Sequence, residues 1–388
     1  MEKSGRVDYY QLDELLTAEE RRVRDEVRSF VERDCLPIIA EHFDKGTFPT
    51  QLIPRMARMG LLGIHVNGYG CQPLGETAYG LICQELGRCD GGLRALFSVQ
   101  NSLVMYPIYH FGSQEQKDKW LPPMARGEVI GCFGLSEPGY GSNPGGMETR
   151  AEEKGDGYVL NGTKMWITNG TMANVALIWA KLEGQIRGFL VDTALEGIEA
   201  VPIRRKFAYR TSPTARIALR NCTVDADCLL PDAAGLKPVF SCLNSARYGV
   251  ACGAVGSAIA CFQAARSFAM RREVFGKPIA SYQLVQKQLA DMLMEITKAQ
   301  LLTFRLGRLM DDQRQRPQQI SMAKLSNVQA AMLVARTARD ILGGRGILAD
   351  QHVIRHLCDL EAISALEGTA NMHTLVLGQD ITGLSAFL

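Results

Sequence analysis

Glycine, serine, tryptophan and threonine are the residues whose spacing in this chain first suggests chemistry. The run Phe133-Gly134-Leu135-Ser136-Glu137-Pro138-Gly139-Tyr140-Gly141-Ser142 combines glycines that allow close backbone approach with amides and hydroxyls, at Ser136 or Ser142, able to bond a ring edge or a phosphate. It suits a planar, phosphate-bearing cofactor; taken alone it is also ordinary turn chemistry. A second run, Asn161-Gly162-Thr163-Lys164-Met165-Trp166-Ile167-Thr168-Asn169, sets Trp166 and Thr168 close together on a short strand, where a core tryptophan and a ring-stacking one are both open. Several other chemistries are disfavoured. The glycines of Gly139–Gly145 have the wrong spacing for a dinucleotide loop and no βαβ context, and neither a G-x-S-x-G elbow nor an H-E-x-x-H helix occurs.

Composition narrows the partners. A net charge of +2 over 388 residues gives no long-range field for nucleic acid, so any anion must be recognised locally. The 11 cysteines form neither a C-x-x-C pair nor a Cys/His cluster at zinc spacing, so no metal site is expected. With no basic start followed by an apolar run, reduced thiols in a cytosolic protein are expected, and the sequons at Asn161 and Asn169 are read as chance. The uncharged stretch Tyr248–Ala265 approaches membrane-helix length, but its Gly, Ala and Ser content fits a buried helix in a tight bundle, not membrane insertion.

The elements that must position these loops fall into three blocks. Thr17-Ala18-Glu19-Glu20 has the form of a capping box ahead of Val23, Val27, Phe30 and Val31, and helical patterns follow at Gln51–Met59, Gly75–Leu86 and Gln114–Met124. Short β-prone runs come next, at 158–160, 165–168, 175–179, 188–191 and 216–219. Long helical patterns then return at Ser245–Arg271, Leu284–Leu309 and Ile320–Leu342. The expected fold is α+β and multidomain: an N-terminal all-α domain (1–131), a central β-barrel-like domain (132–236) and a C-terminal four-helix bundle (237–388).

In that order of blocks the chain resembles the acyl-CoA dehydrogenase family from about residue 10 to the C-terminus. The most specific motifs are Gly134–Pro138 with Gly141-Ser142, Gly162–Asn169, Arg272-Glu273-Val274-Phe275-Gly276-Lys277-Pro278-Ile279 and Leu366-Glu367-Gly368-Thr369. Arg94 with Ser98-Val99-Gln100, Ser102–Met105, Met147–Ala151, Leu243-Asn244-Ser245-Ala246-Arg247-Tyr248-Gly249 and His352–His356 make it most similar to the glutaryl-CoA dehydrogenases within that family.

The resemblance implies FAD as cofactor and α,β-dehydrogenation of an acyl-CoA thioester. Glu367 would remove the α-proton while its own N–H and a ribityl hydroxyl hold the thioester oxygen, and a hydride would pass from the β-carbon to the flavin. Without the family, a Glu before Gly-Thr near a helix end would read as a solvated carboxylate. Cofactor contacts would come from Phe133, Leu135, Ser136, Gly141, Ser142, Trp166, Ile167 and Thr168. Others would come from Arg272, Phe275, Gln283, Gln286, Gly343 and Gly344, partly across a subunit boundary, and from Thr369 and Asn371. Substrate contacts would come from Arg94, Ser98, Ser142, Asn244, Arg247 and Leu366. A homotetramer and electron-transfer flavoprotein as acceptor are likewise implied.

Arg94 matches the residue that in glutaryl-CoA dehydrogenases binds the terminal carboxylate, after which loss of CO2 gives crotonyl-CoA; a structural pairing with Asp90 or Glu85 is the alternative. The chain departs from the family at Ala95, Gly87 and Leu366, where Ser, Glu and Tyr are usual, so a less polar tail pocket is expected. Asn143 stands where Asp is usual and could still cap a helix. A different dicarboxylic acid, a short-chain monoacyl-CoA and oxidation without decarboxylation therefore stay open. Rival readings are an acyl-carrier-protein-linked dehydrogenase of a biosynthetic pathway, an oxidase or monooxygenase, and a non-catalytic flavin-binding protein.

Overall fold

The computed structural model describes residues 7–387, so residues 1–6 and 388, at the outer ends of the expected first and last domains, lie outside it. The chain runs through α1 (Ala18–Phe30), α2 (Leu36–Lys45), α3 (Ile53–Arg58), α4 (Glu76–Cys89), α5 (Gly91–Ser98), α6 (Tyr106–Phe111) and α7 (Gln114–Ala125). The capping box forms as expected: Thr17 Oγ1 accepts from Glu20 N–H at 3.2 Å and the Glu20 carboxylate accepts from Thr17 N–H at 2.8 Å. Asp90 starts α5 in the same way, taking the N–H groups of Gly92 and Leu93 at 2.8 and 3.2 Å.

The β-domain follows: β1 (Gly131–Gly134), β2 (Arg150–Lys154), β3 (Gly157–Ile167), β4 (Val175–Leu182), β5 (Gln185–Asp192), β6 (Ile198–Pro202), β7 (Ala215–Asp225) and β8 (Leu229–Ala234). They form one sheet in the order β6-β7-β3-β2-β4-β5-β8, with β1 parallel to β4. The expected runs at 158–160 and 165–168 fall on one strand, β3, which ends a residue before Thr168 and whose pairing with β7 shifts register at Leu160/Gly162 and again at Lys164/Ile167. Strand β4 is buried on both faces from Val175 to Ala180. Its alternate residues enter different cores: Val175, Leu177 and Trp179 pack with Leu103, Val104, Ile108 and Val239, while Ala176, Ile178 and Ala180 pack within the sheet. This strand fixes the Gly134 loop against both helical blocks.

The last block holds α8 (Leu236–Arg271), a small hairpin of β9 (Glu273–Val274) and β10 (Lys277–Pro278), then α9 (Gln283–Asp311), α10 (Pro317–Leu342), α11 (Val353–Ala365) and α12 (Ala370–Thr382). Helix α8 begins nine residues before the expected Ser245 and, at 36 residues, is about 54 Å long. It is apolar and long enough to cross a membrane, but 83% of its most apolar window is buried inside the fold. Glycines bring α4 and α8 together: a Cβ on Gly87 would stand 2.4 Å from Gly253 O, and one on Gly256 would stand 2.0 Å from Gln84 O. Position 87 therefore has no room for the glutamate usual in the resembled family.

Candidate active site

Glu367 lies in the turn between α11 and α12, and that turn is bent against its own preference. Its φ is 54°, in the left-handed region that costs a non-glycine residue about 1–2 kcal/mol, and Gly368 follows at φ 106°. Two cations hold the bend, one buried and one half-buried. Lys324 Nζ, on α10, donates to the carbonyls of Leu366 and Gly368, and Arg247 Nε, on α8, donates to the carbonyl between them, Glu367 O, at 2.8 Å. Thr369 then caps α12, its hydroxyl accepting from Met372 N–H at 3.2 Å. With the carbonyls turned toward the cations, Glu367 N–H makes no hydrogen bond among the described residues.

The carboxyl is half-buried. Glu367 Oε2 has no solvent exposure and no partner. Burial raises its pKa above the ordinary carboxylate value, while Arg94, Lys324 and Arg247 pull the other way. Burial also brings Lys324 down to about 8, opposed by Glu367. A half-buried carboxylate, with three cations near it and a free backbone donor beside it, can take a proton from a carbon acid whose oxygen sits on that donor.

Arg94 reaches the same region from α5 and is only 2% exposed. Neither expected structural partner holds it. Asp90 is bonded to Thr211 and lies 3.5 Å from Arg355, and Glu85 is taken by Arg28 and Arg88 at 2.8 and 2.6 Å. Arg94 Nη2 donates instead to the Tyr209 hydroxyl at 2.7 Å, and Nη1 has no partner. Burial disfavours its charge, yet Tyr209 and Glu367 more than offset this and keep it fully protonated. The surroundings of Arg94 are thus less bare than Ala95, Gly87 and Leu366 suggest, because Tyr209 supplies a hydroxyl. Ser98 is buried one turn along α5, 3.0 Å from the Tyr79 hydroxyl. Asn244 Oδ1 lies 3.5 Å from Arg247 Nη1, and half-buried Leu366 packs into the apolar cluster that includes Ala95 and Tyr209.

The two cofactor loops are tied together by a buried ion pair. Lys164 Nζ donates to Glu137 at 2.8 Å and to Leu135 O at 3.1 Å, and Met165 N–H donates to Ser136 O at 2.8 Å. Glu137 also accepts from the N–H groups of Glu148 and Thr149 at 2.6 and 3.0 Å. Phe133, Leu135 and Ile167 are buried below this surface, whereas Gly141 and Ser142 lie on it. Trp166 corrects the core alternative: it is 61% exposed, with φ 64° in the bulge of β3, and Trp179 is the core indole at 0%. Asn143 is also corrected, since its side chain caps nothing at the short turn Pro144–Gly146. An uncovered indole beside Ser136 and Thr168, whose hydroxyls make no hydrogen bond among the described residues, fits a planar ring.

Arg272, Phe275, Gln283, Gln286, Gly343, Gly344 and Asn371 are all exposed, and their side chains make no hydrogen bond to the Glu367 turn. Two residues lie outside the motifs, Lys324 and Tyr209, and the motifs that contain Glu137 and Lys164 do not record that the two pair. The one signal for Lys324 was a lysine on the apolar stripe Ile320–Ala323–Val328–Ala331 of α10.

The N-terminal, middle and C-terminal domain models of acyl-CoA dehydrogenase match residues 17–128, 132–222 and 233–382. A Mycobacterium smegmatis glutaryl-CoA dehydrogenase structure is 47% identical with a TM-score of 0.96, covering 98% of this chain and 99% of that one. Another from that organism, in complex with FADH2, is 45% identical with a TM-score of 0.97 and the same coverage. The short-chain specific acyl-CoA dehydrogenase of Rattus norvegicus mitochondria is 35% identical over 92% of this chain and 88% of that protein. With three domain models matched in order along most of its length, the chain belongs to the acyl-CoA dehydrogenase family.

Proposed function

We propose that this protein dehydrogenates a short acyl-CoA that ends in a carboxylate, with glutaryl-CoA as the representative substrate. The observation that carries this reading is Arg94: a buried guanidinium without a carboxylate partner, one N–H-bearing nitrogen unspent, within electrostatic reach of the proposed base. A buried cation left unpaired is costly, and a substrate anion would relieve that cost.

In the proposed reaction the thioester oxygen is held by Glu367 N–H and the α-proton moves to the Glu367 carboxylate. Arg247 and Lys324 keep that carboxylate in place by fixing the carbonyls around it, and its burial makes it a stronger base than a solvated glutamate. The cofactor is FAD, which supplies the acceptor for the two electrons and hydrogen leaving the β-carbon. Ser136, Thr168 and Trp166 would hold its ring, with Phe133, Leu135, Gly141, Ser142 and Ile167 shaping the bed. Arg272, Phe275, Gln283, Gln286, Gly343 and Gly344 would reach the FAD of a neighbouring subunit, which the exposure of Phe275 at 93% and Leu284 at 78% supports. The assembly proposed is therefore a homotetramer, and the proposed acceptor is electron-transfer flavoprotein.

The test is anaerobic bleaching of the flavin by glutaryl-, butyryl- and isovaleryl-CoA, in wild type and in Arg94→Ala, with product analysis for glutaconyl- or crotonyl-CoA. Wild type should prefer glutaryl-CoA and Arg94→Ala should lose that preference. A wild type that prefers butyryl-CoA would instead favour a monoacyl substrate, in line with the short-chain relatives.

A further inference from the structure

Arg94 is aimed by a residue from another domain. Its hydrogen-bond partner, Tyr209, comes from the segment between β6 and β7, and that segment is fastened to the start of α5 at two points. Asp359, on α11, accepts from Tyr209 N–H at 2.6 Å and from Gly91 N–H at 3.2 Å, so one carboxylate grips both the tyrosine and the helix bearing Arg94. Asp90, the cap of α5, accepts from the Thr211 hydroxyl two residues further on. Lys206 closes the segment on itself by donating to the carbonyls of Tyr209 and Ser212. Tyr209 is held at φ 51°, a backbone conformation that persists in a tyrosine only when its surroundings over-determine it.

We propose that Tyr209 is the positioning residue that sets tail specificity: its hydroxyl orients Arg94 while leaving the guanidinium charge to a substrate carboxylate. A carboxylate in its place would orient Arg94 equally well but would also neutralise it. Burial keeps the phenol un-ionised by pushing its pKa up to about 12, even though Arg94 pulls it down. The unspent Nη1 then carries a donor with a fixed direction and an unquenched charge.

This inference rests on the proposed role of Arg94, and the experiment separates the two. In the FAD-loaded protein, kcat/KM for glutaryl-CoA and for butyryl-CoA is measured in wild type, Tyr209→Phe, Arg94→Ala and the double variant. Tyr209→Phe should lower the glutaryl-to-butyryl ratio about tenfold, the size expected for one hydrogen bond to a charged group, chiefly through KM for glutaryl-CoA. In the Arg94→Ala background it should not change the ratio further. If Arg94→Ala collapses the ratio and Tyr209→Phe leaves it intact, or lowers both substrates equally, Tyr209 has no positioning role and the Arg94 assignment stands. If Arg94→Ala leaves the ratio intact, both ideas are overturned.

Discussion

Lys324 and Glu367 are joined through the backbone rather than through their charged ends: the Lys324 ammonium donates to the carbonyls on either side of the glutamate, Leu366 O and Gly368 O. The lysine thus pins a left-handed glutamate whose carboxylate is left free. Lys324→Met keeps the length and removes the donor. Two carbonyls then lose their partner at about 1–3 kcal/mol each, and the turn can relax toward ordinary φ. The expected result is a fall in kcat of tenfold or more with FAD content unchanged, read by stopped-flow flavin bleaching. Wild-type kcat in Lys324→Met would show that the turn holds its shape without the lysine.

The raised pKa of Glu367 gives a signed pH effect. The base acts only when ionised, so kcat/KM with butyryl-CoA should fall as pH drops through a value above the usual carboxylate range. Arg94 is one of the charges holding that value down, so Arg94→Gln should move the acid limb to higher pH. Butyryl-CoA has no terminal charge, which keeps tail binding out of the measurement. An acid limb that stays or moves to lower pH would separate Arg94 from the base. The linkage has the opposite sign in stability: a carboxyl whose folded pKa exceeds its unfolded one stabilises the fold at low pH and loses that contribution as pH rises through the folded value. Glu367→Gln should therefore gain stability over wild type as pH rises, by urea denaturation.

The blocks of the fold were legible because their periods are local. Thr17 and Glu20 announce α1 by side chains three residues apart, and Val175–Trp179 is a continuous apolar run because β4 is covered on both faces. Strand β3 read as two fragments because buried Lys164 interrupts its apolar pattern and Gly162 sits at a register shift. In the site, Glu367, Arg94 and the flavin-loop residues were found through motifs. Tyr209 was not, since it meets Arg94 across 115 residues and no spacing records that pairing. Lys324 was missed for the same reason, its partners lying 42 and 44 residues away and being carbonyls, which carry no side-chain signature. The indole of Trp166 could be placed inside or outside only once the bulge of β3 was seen.

The Glu137–Lys164 pair should be the most costly to break among the site's supports. Its side chains are 4% and 0% exposed, and removing one partner leaves the other charge buried. Lys164→Met should destabilise by about 3–5 kcal/mol in urea denaturation and release FAD, because Leu135 O loses its donor as well. Adding Glu137→Gln should recover part of the stability, since it removes the buried charge and its amide oxygen can still accept from Thr149 N–H, although Glu148 N–H loses its acceptor. A loss below 1 kcal/mol in Lys164→Met would mean that water or another cation reaches the carboxylate.

Trp166 should behave in the opposite way, giving much to the cofactor and little to the fold. At 61% exposure its indole buries too little against the chain for truncation to open a cavity, and release from φ 64° at an alanine costs nothing more than it did at tryptophan. Trp166→Ala should leave the thermal midpoint of the FAD-free protein within about 2 °C of wild type. The same change should weaken FAD binding by tenfold or more, read by fluorescence on titration, as the loss of a stacked aromatic face would dictate. Equal FAD affinity in the two proteins would place the ring elsewhere. A large drop in the midpoint without FAD would return the indole to the core, against its exposure.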